Sequence, residues 1–377
     1  MSVKQAELIF EDAVSYHSQA FPPTSIDYGR LIKPLGQAMD AIGRFDQMLG
    51  TLKNSDILLS PLRNQEAVVS SRMEGTVSTM DEILQYEADH GGDGEGNENV
   101  RSEVVETILY QRALRRAEFA MQQGEPLTEY LIRSLHQALL SFGRGANKSP
   151  GKYKTEQNYI IGNGRKVMFV PISAEELPMG MERLMSYINE SEEQMLLKVA
   201  IAHLEFEALH PFKDGNGRVG RMIITLMLWE SRLISEPHFY ISGYLEDHKS
   251  DYIALMRDVS ENETWTEWCI FFLEALEAQA IRNLQIANSI SDLYESMKPR
   301  FRELLSSKYS IMALDYIFAN PVFRNSKFAG RSGIPTGTAR RFSPILVDAG
   351  LLDVVRPASG RRSAMYSFEP LMDLVRI

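Results

Sequence analysis

Apolar residues recur along most of this chain at intervals of three and four, the spacing that lines one face of a helix. Leu35, Met39, Ile42, Phe45 and Leu49 share a face in 31–49. Val104, Ile108, Leu109 and Leu114 do so in 100–121, and Trp268, Phe271, Phe272 and Leu276 in 265–280. The same period predicts helices over 65–74, 79–89, 128–141 with Thr128 as N-cap, 175–189, 194–209, 217–233, 249–260, 286–301 and 311–318. The pattern changes at 157–170. There 157–161 and 166–170 are β-prone and are separated by Gly162-Asn163-Gly164-Arg165, a hairpin signal. Residues 1–30, with Pro22-Pro23, are poorly periodic and read as loosely held. The stretch 54–61 reads as a loop. Segment 90–99 is glycine-rich and acidic, has nothing apolar to bury, and reads as flexible.

The C-terminal end follows a different plan. A short helix at 311–318 precedes a helix-turn-helix pair at 323–329 and 336–349. Strand-like 351–355 and 364–368 follow, with Arg356, Arg361 and Arg362 between them. Three helices and a two-stranded wing resemble a winged helix, with Arg340 and Arg341 on the recognition helix and Arg361 and Arg362 on the wing, facing phosphates. Pro344 falls inside the recognition helix and is expected to kink or split it. Winged helices also dock proteins, so the expected partner of this end is DNA or a protein. Charge supports a separate module. The chain carries −10 overall, yet 298–377 hold 13 Lys and Arg against 6 Asp and Glu, while the rest holds 27 against 44.

At 377 residues the chain exceeds one simple core, and three regions are expected: 1–99, 100–297 and 298–377. The single cysteine, Cys269, sits beside Ile270 and Phe271 and reads as a core residue. One thiol cannot form an internal disulfide, which fits a reducing compartment. No secretion signal or membrane-length apolar run is present, so a cytoplasmic protein with no membrane partner is expected.

The chemistry concentrates at His210–Arg221, H-P-F-K-D-G-N-G-R-V-G-R. Apolar periodicity on both sides makes this a helix, a short loop and a second helix. Gly215 and Gly217 let backbone N–H groups approach a ligand at a helix start, where the positive dipole end favours an anion. Arg218 and Arg221 share a helix face, and two guanidiniums beside an amide nest suit a polyphosphate. Asp214 is a hard oxygen ligand, right for Mg2+ shared with phosphate oxygens. His210 can take a proton near neutral pH. Gly215-x-Gly217-x-x-Gly220 also matches the dinucleotide fingerprint, but that motif needs a strand before it. No Gly-Lys-Ser/Thr follows, so it is not a Walker A loop. His203, Glu207 and His210 have ligand spacing but not the H-E-x-x-H order of a helical zinc site. Tyr244 and Tyr252 are aromatic candidates to line a base pocket and equally good core residues.

The 210–221 stretch matches the signature H-P-F-x-[D/E]-G-N-G-R-x-x-R of the Fic family at every defined position, and the chain resembles that family. The resemblance implies a mainly α fold: a Fic helical core with a β-hairpin flap, an N-terminal helical inhibitory region and a C-terminal winged-helix domain. It implies transfer of AMP from ATP to a Tyr, Thr or Ser hydroxyl of a target protein and of the chain itself. His210 would then deprotonate the hydroxyl, and Asp214 would hold Mg2+. Asn216, with the Gly215 and Gly217 amides, would contact the phosphates. Arg218 would neutralise pyrophosphate, and Arg221 would anchor the γ-phosphate. The related Doc-type kinases lack the second glycine and the final arginine.

Ser70-Ser71-Arg72-Met73-Glu74-Gly75 fits the pattern [S/T]-x-x-x-E-[G/N]. Alone it is equally a surface helix ending at a glycine cap. Beside the signature it resembles the inhibitory helix of Fic proteins, which implies that Glu74 pairs with Arg221 in place of the γ-phosphate. The same glutamate supports the reverse reaction, removal of AMP, in some members. The 157–170 hairpin would be the flap that pairs with a target segment, or a purely structural hairpin. Other readings remain: a DNA-binding regulator whose core senses nucleotide, or transfer from a nucleotide other than ATP. A second copy of the chain is a further candidate partner.

Overall fold

The computed structural model describes residues 8–52, 55–90 and 100–376. In chain order the elements are β1 (Val14–Ser15), α1 (Tyr28–Thr51), α2 (Ser55–Met73), α3 (Met80–His90), α4 (Ser102–Gln122), α5 (Glu129–Leu139), β2 (Ile160–Ile161), β3 (Val167–Val170), α6 (Leu177–Glu190), α7 (Met195–Leu209), α8 (Asn216–Glu230), α9 (Ser242–Asp247), α10 (Lys249–Asn262) and α11 (Trp265–Leu305). The C-terminal end adds α12 (Ser310–Ala319), β4 (Val322–Arg324), α13 (Asn325–Arg331), α14 (Thr336–Asp348), β5 (Asp353–Arg356), β6 (Met365–Ser367) and α15 (Glu369–Val375). The fold is mainly helical with two small sheets, as the periodicity predicts. Of the segment expected to be flexible, 91–99 lies outside the described residues.

Two compact units partition the chain. The first takes residues up to 43 and 109–280, and the second takes 44–108 and 281–377. The expected regions follow sequence order, whereas the compact units group 44–108 with the C-terminal end. The two helices expected over 265–301 are one continuous α11. Ile281-Arg282-Asn283-Leu284-Gln285 between them is polar but contains no glycine or proline to stop a helix.

In the first unit α7 and α8 form the centre, with almost every side chain buried. α6 packs on α7 and α5 on α8. Trp268 of α11 donates its indole N–H to the Ala200 carbonyl of α7 at 2.8 Å. The predicted hairpin is present: β2 pairs antiparallel with β3 across a turn at Asn163–Arg165. A third strand, β1, pairs parallel with β3 in the order β1-β3-β2. Much of the lead-in is therefore tied down rather than loose. Val14 packs with Phe169 and Ala208. Tyr16 and His17 both bond the fully buried carboxylate of Glu205, at 2.7 and 2.9 Å.

In the second unit β4, β6 and β5 form an antiparallel sheet in that order. α3 packs on β4, and α2 packs on α12 and α15. Met80, Leu84 and Ala88 of α3 belong to the same buried cluster as Phe301, Ile317, Phe323 and Met365. Asp89 of α3 bonds Arg324 at 2.7 Å, and Asp81 bonds Arg376 at 3.1 Å. The loop expected at 54–61 is helix from Ser55 onward with Pro61 inside it. Likewise α14 runs through Pro344 as one helix rather than splitting. In each case burial of the following turns, Leu62, Ala67, Val68 and Val69 in α2 and Leu346 in α14, outweighs the lost N–H.

Candidate active site

The site grows from the ends of α7 and α8. Gln194 caps α7, its side-chain oxygen accepting from the N–H groups of Leu196 and Leu197. The helix ends at His210, which turns left-handed at φ 46° and ψ 59°. A β-carbon makes that conformation cost about 1–2 kcal/mol. The His210 imidazole Nδ1 lies 3.3 Å from the Glu207 carbonyl. A carbonyl only accepts, so Nδ1 carries the proton and the basic lone pair falls on Nε2.

The chain then reverses through Pro211–Asp214 into α8. Gly215 makes the turn at φ +80° and precedes the first helical residue, with no side-chain cap. The first N–H groups of α8 have no carbonyl one turn back to bond, which is the arrangement that receives anions. Asn216, buried, closes the loop: Oδ1 accepts from the Phe212 N–H at 2.8 Å and Nδ2 donates to the Phe212 carbonyl at 2.9 Å. Its expected phosphate contact is left to one amide hydrogen and the backbone N–H. Gly217 is buried at the first turn of the same helix.

Both arginines are buried, each about 3% exposed. Arg218 Nη2 approaches Asp214 Oδ1 at 3.7 Å. Its Nε and Nη1 have no hydrogen-bond partner among the described residues. A buried guanidinium left this way is costly unless an anion meets it. α7 and α8 come very close at Gly220, where a β-carbon would sit 2.3 Å from Glu207 Oε1. Asp214 keeps a half-exposed carboxylate. Among the described residues no three His, Cys, Asp or Glu side chains converge as a metal cage. A single carboxylate fits Mg2+, which takes most of its ligands from water and phosphate oxygens.

Three residues outside the motif hold it. His136 accepts the Gly151 N–H at Nδ1, 2.8 Å, so Nε2 carries a proton and donates to the Asp214 carbonyl at 2.9 Å. Burial, helped by the Arg218 charge, lowers its pKa to about 4 and keeps it neutral. The ring stacks on Phe212 at 3.7 Å. Lys154 and Asn158 bond the carbonyls of the loop itself. On the sequence alone His136, inside the helix expected over 128–141, reads as a packed or capping histidine rather than a catalytic one, and no spacing rule singles out the other two.

The remaining expected residues are placed as follows. Tyr252 is a core residue, its hydroxyl 2.8 Å from His203 Nε2. Tyr244 on α9 is half-buried and stacks on His248. Its backbone N–H is held by Gln279 at 2.8 Å. Ser70 and Ser71 are buried near the end of α2. Gly75, at φ +81°, ends the helix, with Gly75 N–H to Arg72 and Thr76 N–H to Ser71. That glycine cap and Glu74 belong to the second unit, and the signature belongs to the first. β2 is an edge strand whose Ile160 and Ile161 are exposed. Beside it is a cavity of about 100 Å³ walled by Met168, Leu204, Ile253 and Met256, with Glu207 among its lining.

A sequence profile of the Fic/DOC family matches residues 126–228, and a profile of the Fic/DOC family N-terminal region matches 32–118. Together the two cover half of the chain. With the signature loop built as described, the protein belongs to the Fic/DOC family. It is similar to a probable protein adenylyltransferase of Aquifex aeolicus (strain VF5), 26% identical over 204 residues, 54% of this chain and 57% of that protein. The protein adenylyltransferase fic-1 of Caenorhabditis elegans is 29% identical over 103 residues, 26% of this chain and 19% of its own length. The chain thus spans less than two thirds of each of these relatives. Its fold is similar to that of a Fic family protein from Desulfovibrio desulfuricans G20, with TM-score 0.58 and 20% identity over 92% of this chain and 98% of that one. A Fic domain containing signaling protein from Bacteroides thetaiotaomicron VPI-5482 has TM-score 0.53 and 22% identity over 68% and 97%. No helix among the described residues is long and apolar enough to cross a membrane.

Proposed function

We propose that the protein moves AMP from ATP onto a Tyr, Thr or Ser hydroxyl of a target protein and of itself. The observation that carries this reading is Arg218, buried beside the open first turn of α8, with Nε and Nη1 unpartnered among the described residues. A polyphosphate supplies the oxygens that such a guanidinium lacks. His210 Nε2 takes the proton of the attacking hydroxyl. The hydroxyl oxygen bonds to the α-phosphorus as the bond from that phosphorus to the bridging oxygen breaks, and pyrophosphate departs with the electron pair. Arg218 meets the growing charge on pyrophosphate. Arg221 holds the γ-phosphate and Tyr244 the adenine. Asp214 is the residue to hold Mg2+, which when bound draws charge from the phosphate oxygens. The edge of β2 pairs with an extended target segment, and the neighbouring apolar cavity takes one of its side chains.

The basal state is held off by Glu74, which pairs with Arg221 and denies it to the γ-phosphate. This part rests on the Ser70–Gly75 pattern and on the strength of carboxylate–guanidinium pairs.

The test is intact mass spectrometry of Glu74→Gly after incubation with ATP and Mg2+. The expected product is heavier by one AMP, with pyrophosphate released. A protein heavier by one phosphoryl group, with ADP released, would instead make this a kinase.

A further inference from the structure

We propose that Lys154 and Asn158 are positioning residues that hold the His210 loop in shape and tie it to the base of the β2–β3 hairpin. The proposal deepens the reading of His210 as the base and rests on it.

Four consecutive carbonyls, Leu209 to Phe212, are caught by two side chains and one backbone N–H. Lys154 Nζ donates to the Leu209 carbonyl at 3.0 Å, and the Lys154 N–H donates to Pro211 at 2.8 Å. Asn158 Nδ2 donates to His210 at 3.0 Å and to Phe212 at 3.1 Å. Lys154 Nζ also donates to Asn158 Oδ1 at 2.8 Å, so each donor fixes the other. The arrangement meets a specific need. His210 is held in a left-handed conformation that a β-carbon disfavours, and such strain persists only where the surroundings over-determine it. Lys154 is 3% exposed, an expensive place for an amine, and burial lowers its pKa to about 7. At that value the amine keeps two N–H groups in either protonation state, enough for both of its acceptors.

The same residues lie at the root of the hairpin. β2 begins two positions after Asn158. Gln157 Nε2 donates to the Pro171 carbonyl at 3.0 Å, joining the two legs of the hairpin just beyond β3. A segment docking on the β2 edge therefore loads the stretch that holds the loop of the base.

The test uses Lys154→Met and Lys154→Arg, each in a Glu74→Gly background, with self-labelling rates measured over a range of ATP. Lys154→Met is expected to lower kcat by about tenfold or more, the scale of losing buried hydrogen bonds. KM for ATP should stay within about twofold, because Arg218 and the first turn of α8 are untouched. Lys154→Arg, which keeps donors at that position, should recover most of the rate. A second readout does not need activity: amide exchange at His210 and Phe212 should quicken about tenfold in Lys154→Met. Unchanged exchange overturns the clamp. Quickened exchange with kcat intact overturns the positioning role, as does a rise in KM alone. If the Glu74→Gly parent transfers nothing, the adenylyl-transfer reading fails, and exchange still decides the clamp. If Lys154→Met lacks a cooperative melt, Asn158→Leu, which removes the amide donors to His210 and Phe212 together with the Oδ1 acceptor at nearly constant size and adds no charge, is read by the same two measures.

Discussion

Arg218 is the residue whose environment makes least sense without a ligand. It is buried, and two of its nitrogens have no partner among the described residues. Arg218→Ala should weaken ATP binding by about ten- to a hundredfold, since charge-assisted bonds contribute about 1.5–3 kcal/mol. The same change should leave the melting temperature level or raise it, because it removes a buried charge that only the half-exposed Asp214 carboxylate meets, at 3.7 Å. Titration calorimetry and a thermal melt on one preparation check both signs. His136 and His203 make a second prediction. Burial lowers their pKa values to about 4 and about 3, below the ~6.5 of an unfolded chain. Between those values the unfolded chain holds protons that the folded one does not. Stability is therefore full above about pH 6.5 and falls as pH drops toward 4, by up to about 1.4 kcal/mol per pH unit for each histidine. Urea unfolding at pH 7 and pH 5 measures the slope, and His136→Gln should flatten it. At this scale the sequence shows the twelve motif residues because their chemistry is packed side by side. Lys154, Asn158 and His136 are not legible, because each acts across more than fifty positions of chain on a backbone atom, which no spacing rule records.

Among the elements, α7 and α8 decide the site. They approach until Glu207 Oε1 occupies the space of a Gly220 β-carbon, with Phe206 Cδ1 and His203 Cε1 at 3.2 and 3.3 Å. Gly220→Ala sets a helix-propensity gain of about 0.5–1 kcal/mol against overpacking of about 1–3 kcal/mol. Glu207 can swing, but the two rings are buried, so the variant should be less stable by about 1 kcal/mol and slower in transfer. Chemical denaturation and a labelling rate test the pair. Helical periodicity revealed these helices, and the Asn163-Gly164 turn signal between two β-prone runs revealed the hairpin. It could not reveal β1, which is two residues long and too short to alternate, or that α2 and α14 continue through Pro61 and Pro344. Those outcomes depend on what the helices pack against.

Across the whole molecule, the segment with the inhibitory pattern and the basic C-terminal end fall in one compact unit, although more than two hundred residues of chain separate them. Charge asymmetry in the sequence marked the C-terminal end as distinct but could not show that α2 and α3 share its core. α3 brings Asp89 to Arg324 and Arg356, and Asp81 to Arg376, so acidic residues of the negative half neutralise part of the positive half. The signature, its braces and the hairpin all lie in the other unit. The catalytic proposal therefore concerns one unit, and the regulatory proposal concerns what the second unit does to it.

One measurement reaches both proposals. ATP labelled on its α-phosphate, with Mg2+, is offered to wild type, to Glu74→Gly, and to Glu74→Gly combined with His210→Ala. Adenylyl transfer restrained by Glu74 and dependent on His210 predicts faint label on wild type, strong label on Glu74→Gly and none on the double variant. Label on the double variant equal to that on Glu74→Gly would contradict His210 as the base, and wild type labelled as strongly as Glu74→Gly would contradict the restraint.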